Sequence, residues 1–188
     1  MKLVDLEKKI DLRMGDIIGT RGPKLSISSI LAWRQAGPVE AMFHNRIATH
    51  ILGKSAIGGL YTEATVPRVR EVDSTKIRGT VVFVWRPRYE LTHLAQIGVI
   101  CGGSAAQFAR AQVGKQYDTC AWHALYGIGT QNPGYWYCSE LWAAALSSAG
   151  YSIPPEWRVS VFPWSMQQHA EVTGHILYRN YQPWWCRT

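Results

Sequence analysis

Short strand-forming runs in the first half of the chain are followed by apolar helical stretches, and this arrangement predicts an α+β fold. The clearest run is Thr80–Trp85, with the sequence Thr-Val-Val-Phe-Val-Trp, and Pro87 ends it. Further strands are predicted at residues 16–18, 48–52 and 60–66. Helices are predicted at residues 26–35, 105–113 and 137–148.

Turn-forming residues and prolines predict irregular backbone in three places. The segment Gly19-Thr20-Arg21-Gly22-Pro23 is predicted to be turn-rich, and a second turn is predicted at residues 53–59. Pro154-Pro155 begins a Trp-rich tail that is also predicted to be irregular. The chain is therefore predicted to form one domain over residues 1–188, with residues 155–188 packed on it as a C-terminal extension.

The charge pattern excludes one class of function. The 188 residues include 20 basic and 13 acidic ones, which gives a formal net charge of +7. The densest basic stretch, residues 68–88, is interrupted by acidic residues, and no helix-turn-helix, zinc-finger or RNP-type motif is present. The sequence therefore predicts no sequence-specific binding of nucleic acid, and only weak contact with anionic surfaces.

The segment Tyr137-Cys138-Ser139-Glu140-Leu141 places a thiol at the start of the predicted helix 137–148. Unpaired backbone N–H groups and the positive end of the helix dipole stabilise a thiolate there, and the thiolate is the nucleophilic form of cysteine. The preceding loop is expected to leave the sulfur accessible. Cys138 is therefore a candidate nucleophile, and a buried structural cysteine is the alternative.

A nucleophilic cysteine needs a base and a group that orients the base. His50 lies in the predicted strand 48–52, and Glu63 lies in the next one. If residue 50 pairs opposite residue 63, the two side chains are cross-strand neighbours, and a shift of two residues keeps them on one face. The three side chains would then form a thiol–imidazole–carboxylate set.

These residues and their order resemble the YiiX/YebB-like family, whose members are circularly permuted papain-like hydrolases related to the NlpC amidases. The nucleophile segment carries most of this resemblance, and the histidine precedes the cysteine as in a permuted chain. The matching segments are Gly15-Asp16-Ile17-Ile18, Thr49-His50-Ile51, Tyr61-Thr62-Glu63-Ala64, Gly114-Lys115-Gln116-Tyr117-Asp118 and Tyr137-Cys138-Ser139-Glu140-Leu141.

The resemblance implies a permuted papain-like (NlpC-like) fold with a small antiparallel sheet packed against helices. It implies Cys138 as nucleophile, His50 as base and Glu63 as the residue that orients His50, with Tyr137 and Tyr61 as substrate-binding residues. No cofactor and no metal are implied. The implied reaction is hydrolysis of an amide through a thioester, with peptidoglycan peptides as the substrate class.

Three alternatives remain open at this point. The same site serves a lipid acyl or thioester hydrolase or acyltransferase, and the fold also serves as a non-catalytic binding module. Cys120 and His123, three residues apart, form a second candidate thiol–imidazole pair or half of a metal site. No G-x-S-x-G and no H-E-x-x-H motif is present, which argues against an α/β serine hydrolase and a zincin.

Two further absences bear on location. No run of about 18 apolar residues is present, so no transmembrane helix is expected. The N-terminal segment is charged and lacks the apolar run of a signal peptide. The expected location is the cytoplasm, unless a phage particle or a secretion system delivers the protein outside.

Overall fold

β-Branched and aromatic residues fill the strand Thr80–Trp85, which belongs to a curled, eight-stranded sheet. The computed structural model describes residues 1–22, 47–88, 95–119, 134–158, 161–173 and 175–180. Within these ranges the strands are β1 (Ile17–Arg21), β2 (His50–Ala56), β3 (Leu60–Thr65), β4 (Arg68–Asp73), β5 (Thr80–Trp85), β6 (Gln116–Tyr117), β7 (Tyr135–Trp136) and β8 (Ile176–Arg179).

Helices flank this sheet. They are α1 (Leu3–Leu6), α2 (Ala95–Ala111), α3 (Cys138–Ser148), a 3-10 helix (Pro155–Arg158) and α4 (Pro163–Thr173). No helix of the described ranges is both long enough and apolar enough to cross a bilayer.

The strand order is β7-β6-β4-β3-β2-β1-β5-β8. Neighbouring strands are antiparallel except for β6 and β7, which are parallel. The predicted α+β class is therefore confirmed. The sheet differs from the small antiparallel one that was expected, because it has eight strands and one parallel pair.

Strand alternation divides the core into two clusters. Ile17 and Ile51 pack in one cluster with Leu141 and Trp142 of α3. Their sequence neighbours Ile18 and Leu52 pack in the other cluster, with Leu3 and Leu6 of α1. Successive strand residues point to opposite faces of the sheet. The first cluster therefore packs α3 against one face, and the second packs the N-terminal segment against the other.

The turn predicted at residues 19–23 is wrong over residues 19–21, and the turn predicted at residues 53–59 is confirmed only over residues 57–59. Glycine packing is the reason for both differences. Gly19 lies inside β1 and Gly53 lies inside β2, so the prediction read strand glycines as turn residues. A Cβ at Gly19 would collide with the ring of Phe83, and a Cβ at Gly53 would collide with the indole of Trp142. Glycine is needed at these places for close approach of a ring to the backbone.

The predicted irregular tail is also wrong over its described part. Residues 163–173 form α4, and β8 adds a strand to the sheet beside β5. The buried positions of α4 are Pro163, Met166, Gln167 and Ala170, which have helical spacing. A polar residue occupies one of these positions: Gln167 is buried because its Oε1 accepts a hydrogen bond of 2.9 Å from the Ala48 N–H.

The remaining strand and helix predictions agree with the structure to different degrees. Thr80–Trp85 is a strand as predicted, and α3 begins one residue later than expected. Helix α2 is longer than its prediction, and β4 was not predicted. The predicted helix at residues 26–35 and the pair Cys120 and His123 lie outside the described residues.

Candidate active site

Cys138 is the first residue of α3, directly after the short strand β7. Tyr137 before it is extended, and its backbone N–H donates to Oε2 of Glu140 at 3.3 Å, which caps the helix start. Ser139 Oγ donates to the Val161 carbonyl oxygen at 2.7 Å and ties this turn to the segment that leads into α4. The nucleophile candidate therefore sits at a helix N-terminus fixed from two sides.

The sulfur of Cys138 is not open to solvent, because the residue is only 1% exposed. The expected accessibility is therefore wrong for this structure. The rings of Tyr117 and Tyr137 lie 5.9 Å apart, and Phe162 lies 6.3 Å from Tyr137. Burial, the charge of Cys138 and a hydrogen bond to it raise the pKa of the Tyr137 hydroxyl well above its usual value. Tyr137 therefore contacts the sulfur as a neutral phenol.

His50 and Glu63 come together from two paired strands. His50 begins β2, and its Nε2 donates to Glu63 Oε2 at 2.7 Å. The pairing places Leu52 opposite Glu63, so the register differs by two residues from a direct pairing of residues 50 and 63. This shift keeps both side chains on one face, as the sequence argument required.

The second partner of the imidazole is Cys138. Glu63 is hydrogen-bonded to Nε2, so Nδ1 is the ring nitrogen that is left to form a hydrogen bond with the Cys138 sulfur. Burial lowers the pKa of His50, but hydrogen bonds to Cys138 and Glu63, together with the charges of both, raise it to about 10. At neutral pH this arrangement favours the imidazolium form of His50.

Arg70 is a site residue that the sequence reasoning missed. Its Nε and Nη2 both donate to Glu63 Oε1, at 2.8 and 2.7 Å. Burial raises the pKa of Glu63, but His50 and Arg70 together lower it below its usual value. The strand β4 was not predicted, and β4 places Arg70 directly opposite Glu63. The alternation of Arg68, Val69 and Arg70 is the signal that would have indicated this strand.

Tyr61, the other predicted substrate-binding residue, is not brought to this site. The residue is fully buried, and its hydroxyl donates to Glu7 Oε1 at 2.5 Å. Lys54 also binds Glu7, at 3.3 Å, and its ammonium lies 5.1 Å from the Tyr61 ring. No part of Tyr61 is open to a substrate in this structure, and the side chain instead helps to anchor the N-terminal segment.

A groove of about 620 Å³ lies beside α3, and its size is that of a small-molecule site. Burial and the negative charge of Asp118 raise the pKa of Glu140, which lines it, while the Tyr137 N–H lowers it. Aromatic and small side chains make up most of the lining: Phe108, Tyr135, Trp136, Ala143, Ala144, Ile153, Trp157 and Val161.

A second, smaller cavity of about 290 Å³ lies at Trp85, Tyr151 and His169. The His169 Nε2 and the Tyr151 hydroxyl share a hydrogen bond of 2.8 Å. Burial lowers the pKa of His169, against a smaller raising effect of Glu156. Within the described ranges, no three His, Cys, Asp or Glu side chains are grouped closely enough to hold a metal ion.

Comparison with known proteins adds no identity to this geometry. The chain matches no model of a known protein family, and a search of curated proteins gave no relative. Within the described residues, Cys138, His50 and Glu63 are brought together, Tyr137 lies beside them, Arg70 joins them, and Tyr61 lies elsewhere.

Proposed function

We propose that this protein is a cysteine-dependent hydrolase in which Cys138 is the nucleophile, His50 the base and Glu63 the residue that orients His50. The observation that supports this most strongly is the hydrogen-bonded series from Cys138 to His50 to Glu63, which draws on a helix N-terminus and two strands. Three separate elements converge on one imidazole, whose two ring nitrogens are both engaged. This is the arrangement that nucleophilic cysteine chemistry requires.

The reaction proceeds in two halves. The Cys138 thiolate attacks the acyl carbon, and the carbonyl oxygen becomes an oxyanion close to the first-turn N–H groups of α3, which lack intrahelical partners. His50 then gives its proton to the leaving amine, the carbon–nitrogen bond breaks, and a thioester remains on Cys138. Water attacks this thioester, His50 accepts a proton from the water, and the acid product leaves as the thiolate is restored.

The proposed substrate is an amide, with peptidoglycan peptides as the class, and the proposed fold is the permuted papain-like one. Support comes from the order along the chain, in which the histidine strand and the glutamate strand precede the cysteine helix. A cytoplasmic protein would meet such a substrate only through delivery outside, by a phage particle or a secretion system. We propose the cytoplasm as the site of synthesis.

A lipid acyl or thioester substrate is the second candidate, because the same thiol–imidazole–carboxylate set can form an acyl thioester from either substrate. The groove beside α3 does not have Cys138 in its lining, so it does not distinguish the two candidates. The nucleophile is the same for both candidates.

Alkylation by iodoacetamide, resolved for each cysteine by mass spectrometry from pH 5 to 9, tests the shared proposal. We expect Cys138 to react at pH 6, where an ordinary thiol with a pKa of about 8.5 is almost unreactive. His50→Ala should move this reactivity to higher pH, and Cys101, a partly buried cysteine of α2, is the internal control. A Cys138 that reacts only after denaturation would refute the assignment.

A substrate panel then separates the two candidates. Peptide amides of cell-wall type and fatty acyl thioesters of increasing chain length are offered to the wild type and to Cys138→Ala. Turnover of the amides supports the first candidate. Turnover that increases with acyl chain length supports the second, because each buried CH₂ adds about 0.8 kcal/mol of binding free energy.

A further inference from the structure

The geometry points to a role for Arg70 as a positioning residue that keeps the Glu63 carboxyl ionised while His50 gives its proton to the leaving group. This inference rests on the proposed function. In this inference Arg70 does not contact the substrate. It acts on Glu63, and through Glu63 it determines whether the His50 proton goes to the leaving group.

The carboxyl group of Glu63 is divided between two partners. Oε1 accepts both Arg70 hydrogen bonds, at 2.7 and 2.8 Å, and Oε2 accepts the His50 hydrogen bond at 2.7 Å. Glu63 is only 5% exposed, whereas the Arg70 side chain is 50% exposed. The buried Glu63 carboxylate is therefore kept ionised by two partners, His50 in the site and Arg70 at the protein surface.

The need for Arg70 arises when His50 becomes neutral. Before the reaction, the imidazolium and the guanidinium both balance the charge of Glu63. Once His50 has given up its proton, the neutral imidazole no longer balances the negative charge of Glu63. Burial then favours the protonated form of the Glu63 carboxyl. Without Arg70 the proton would have a competing acceptor in Glu63, and the amine would leave more slowly. With Arg70 the carboxylate stays ionised, and the proton goes to the leaving group.

Few charged groups reach this carboxyl. Among the described residues, His50 of β2 and Arg70 of β4 act on Glu63, and Cys138 of α3 acts through His50. Tyr117 and Tyr137 face Cys138, and burial raises the pKa of both hydroxyls, so they remain neutral near pH 7. The effect of removing Arg70 can therefore be measured against a small and known set of titrating groups.

The chain offers a matched control. Arg110 binds Glu71 Oε1 at 3.0 Å with a side chain that is 51% exposed, almost the same as Arg70. Glu71 is the next residue after Arg70 in β4, but its other carboxylate partner is Ser55 and not a histidine. Arg110→Gln therefore removes a similar surface ion pair from the same strand without touching the His50 series.

The test is a titration of Glu63 by ¹³C NMR in protein with labelled glutamate and the substitution His50→Gln. The glutamine side chain is neutral at every pH, as His50 is after proton transfer. The Glu63 signal is assigned by its loss in Glu63→Gln. Because no turnover is measured, a failure here is distinct from a failure of the proposed function.

In this background, titrated from pH 3 to 9, we expect the Glu63 carboxyl to be ionised from pH 5 upward, with its titration visible below that. Arg70→Gln should raise its titration by about one pH unit, the low end for loss of a neighbouring opposite charge. Arg70→Lys should give a smaller shift, and it replaces Arg70→Gln as the test if the latter does not fold. Arg110→Gln should leave the titration unchanged. A folded Arg70 variant with the wild-type titration, or an equal shift in Arg110→Gln, would overturn the inference.

Discussion

Two histidines in this molecule lie in similar surroundings and carry opposite charge preferences. His50 bonds through Nε2 to Glu63 at 2.7 Å, and His169 bonds through Nε2 to Tyr151 at 2.8 Å. Both are partly buried, and His169 has aromatic edges around it, with Trp157 at 4.9 Å and Trp85 at 5.6 Å. The pKa of His50 is nevertheless raised to about 10, whereas burial lowers the pKa of His169.

The difference lies in the charge of the partners. Burial acts against the imidazolium in both places, but the carboxylate and the thiolate next to His50 overcome it, and the phenol of Tyr151 does not. A hydrogen bond to the ring is therefore not enough to make a histidine cationic at neutral pH. Of these two sites, the one at His50 has the anionic partners that proton transfer at a nucleophile uses.

The largest expected effect is the difference between the pH values at which the His50 and His169 rings titrate. In ¹⁵N-histidine NMR, His50 should keep both ring protons up to about pH 10, and His169 should lose one below its ordinary pKa of 6.5. Because the folded-state pKa of His50 is raised, its charge stabilises the fold below pH 6.5, and this contribution is lost as the pH rises through about 10. Titrations that lie within one pH unit of each other would contradict the comparison.

Removal of the Glu63 charge should bring the pKa of His50 closer to that of His169. In Glu63→Gln we expect the rate of Cys138 alkylation at pH 6 to fall by about 10-fold or more, since loss of a neighbouring charge changes a pKa by about one unit or more. Glu71→Gln is the control, because Glu71 binds Ser55 and Arg110 and lies outside the His50 series. An unchanged rate in Glu63→Gln would mean that Glu63 does not support the imidazolium.

The smallest expected effect is at the second cavity. Tyr151→Phe removes the hydrogen bond to His169 and should lower the free energy of unfolding by about 1 kcal/mol, measured by urea denaturation. Alkylation of Cys138 should not change, because Tyr151 has no part in the series from Cys138 to Glu63. A Tyr151→Phe protein with slower alkylation would show that the two regions are coupled.

Local patterns were enough to predict the class of the fold and several of its elements. The run Thr80–Trp85 and the apolar helix from Cys138 to Ser148 are visible because each is long and regular. Gly19 and Gly53 misled the turn predictions, since the rings that need them, Phe83 and Trp142, lie far away in the sequence. Single-sequence patterns carry no information about such long-range contacts.

The candidate site was partly predictable for the same reason. Cys138, His50 and Glu63 were chosen from residue type and order, and strand alternation then allowed His50 and Glu63 to share a face. Arg70 required the pairing of β3 with β4, and the burial of Cys138 required the tertiary packing around α3. Tyr61 was assigned from its motif, but its hydroxyl turns to Glu7, a contact across 54 residues.

The burial of Cys138 has a consequence for oxidation of the protein. A sulfur that is 1% exposed admits reagents by size, whatever its nucleophilicity. We expect hydrogen peroxide, a small reagent, to convert the thiolate to a sulfenic acid faster than glutathione disulfide modifies it. Oxidative stress would therefore leave Cys138 as a sulfenic acid without the glutathione cap that protects exposed thiols.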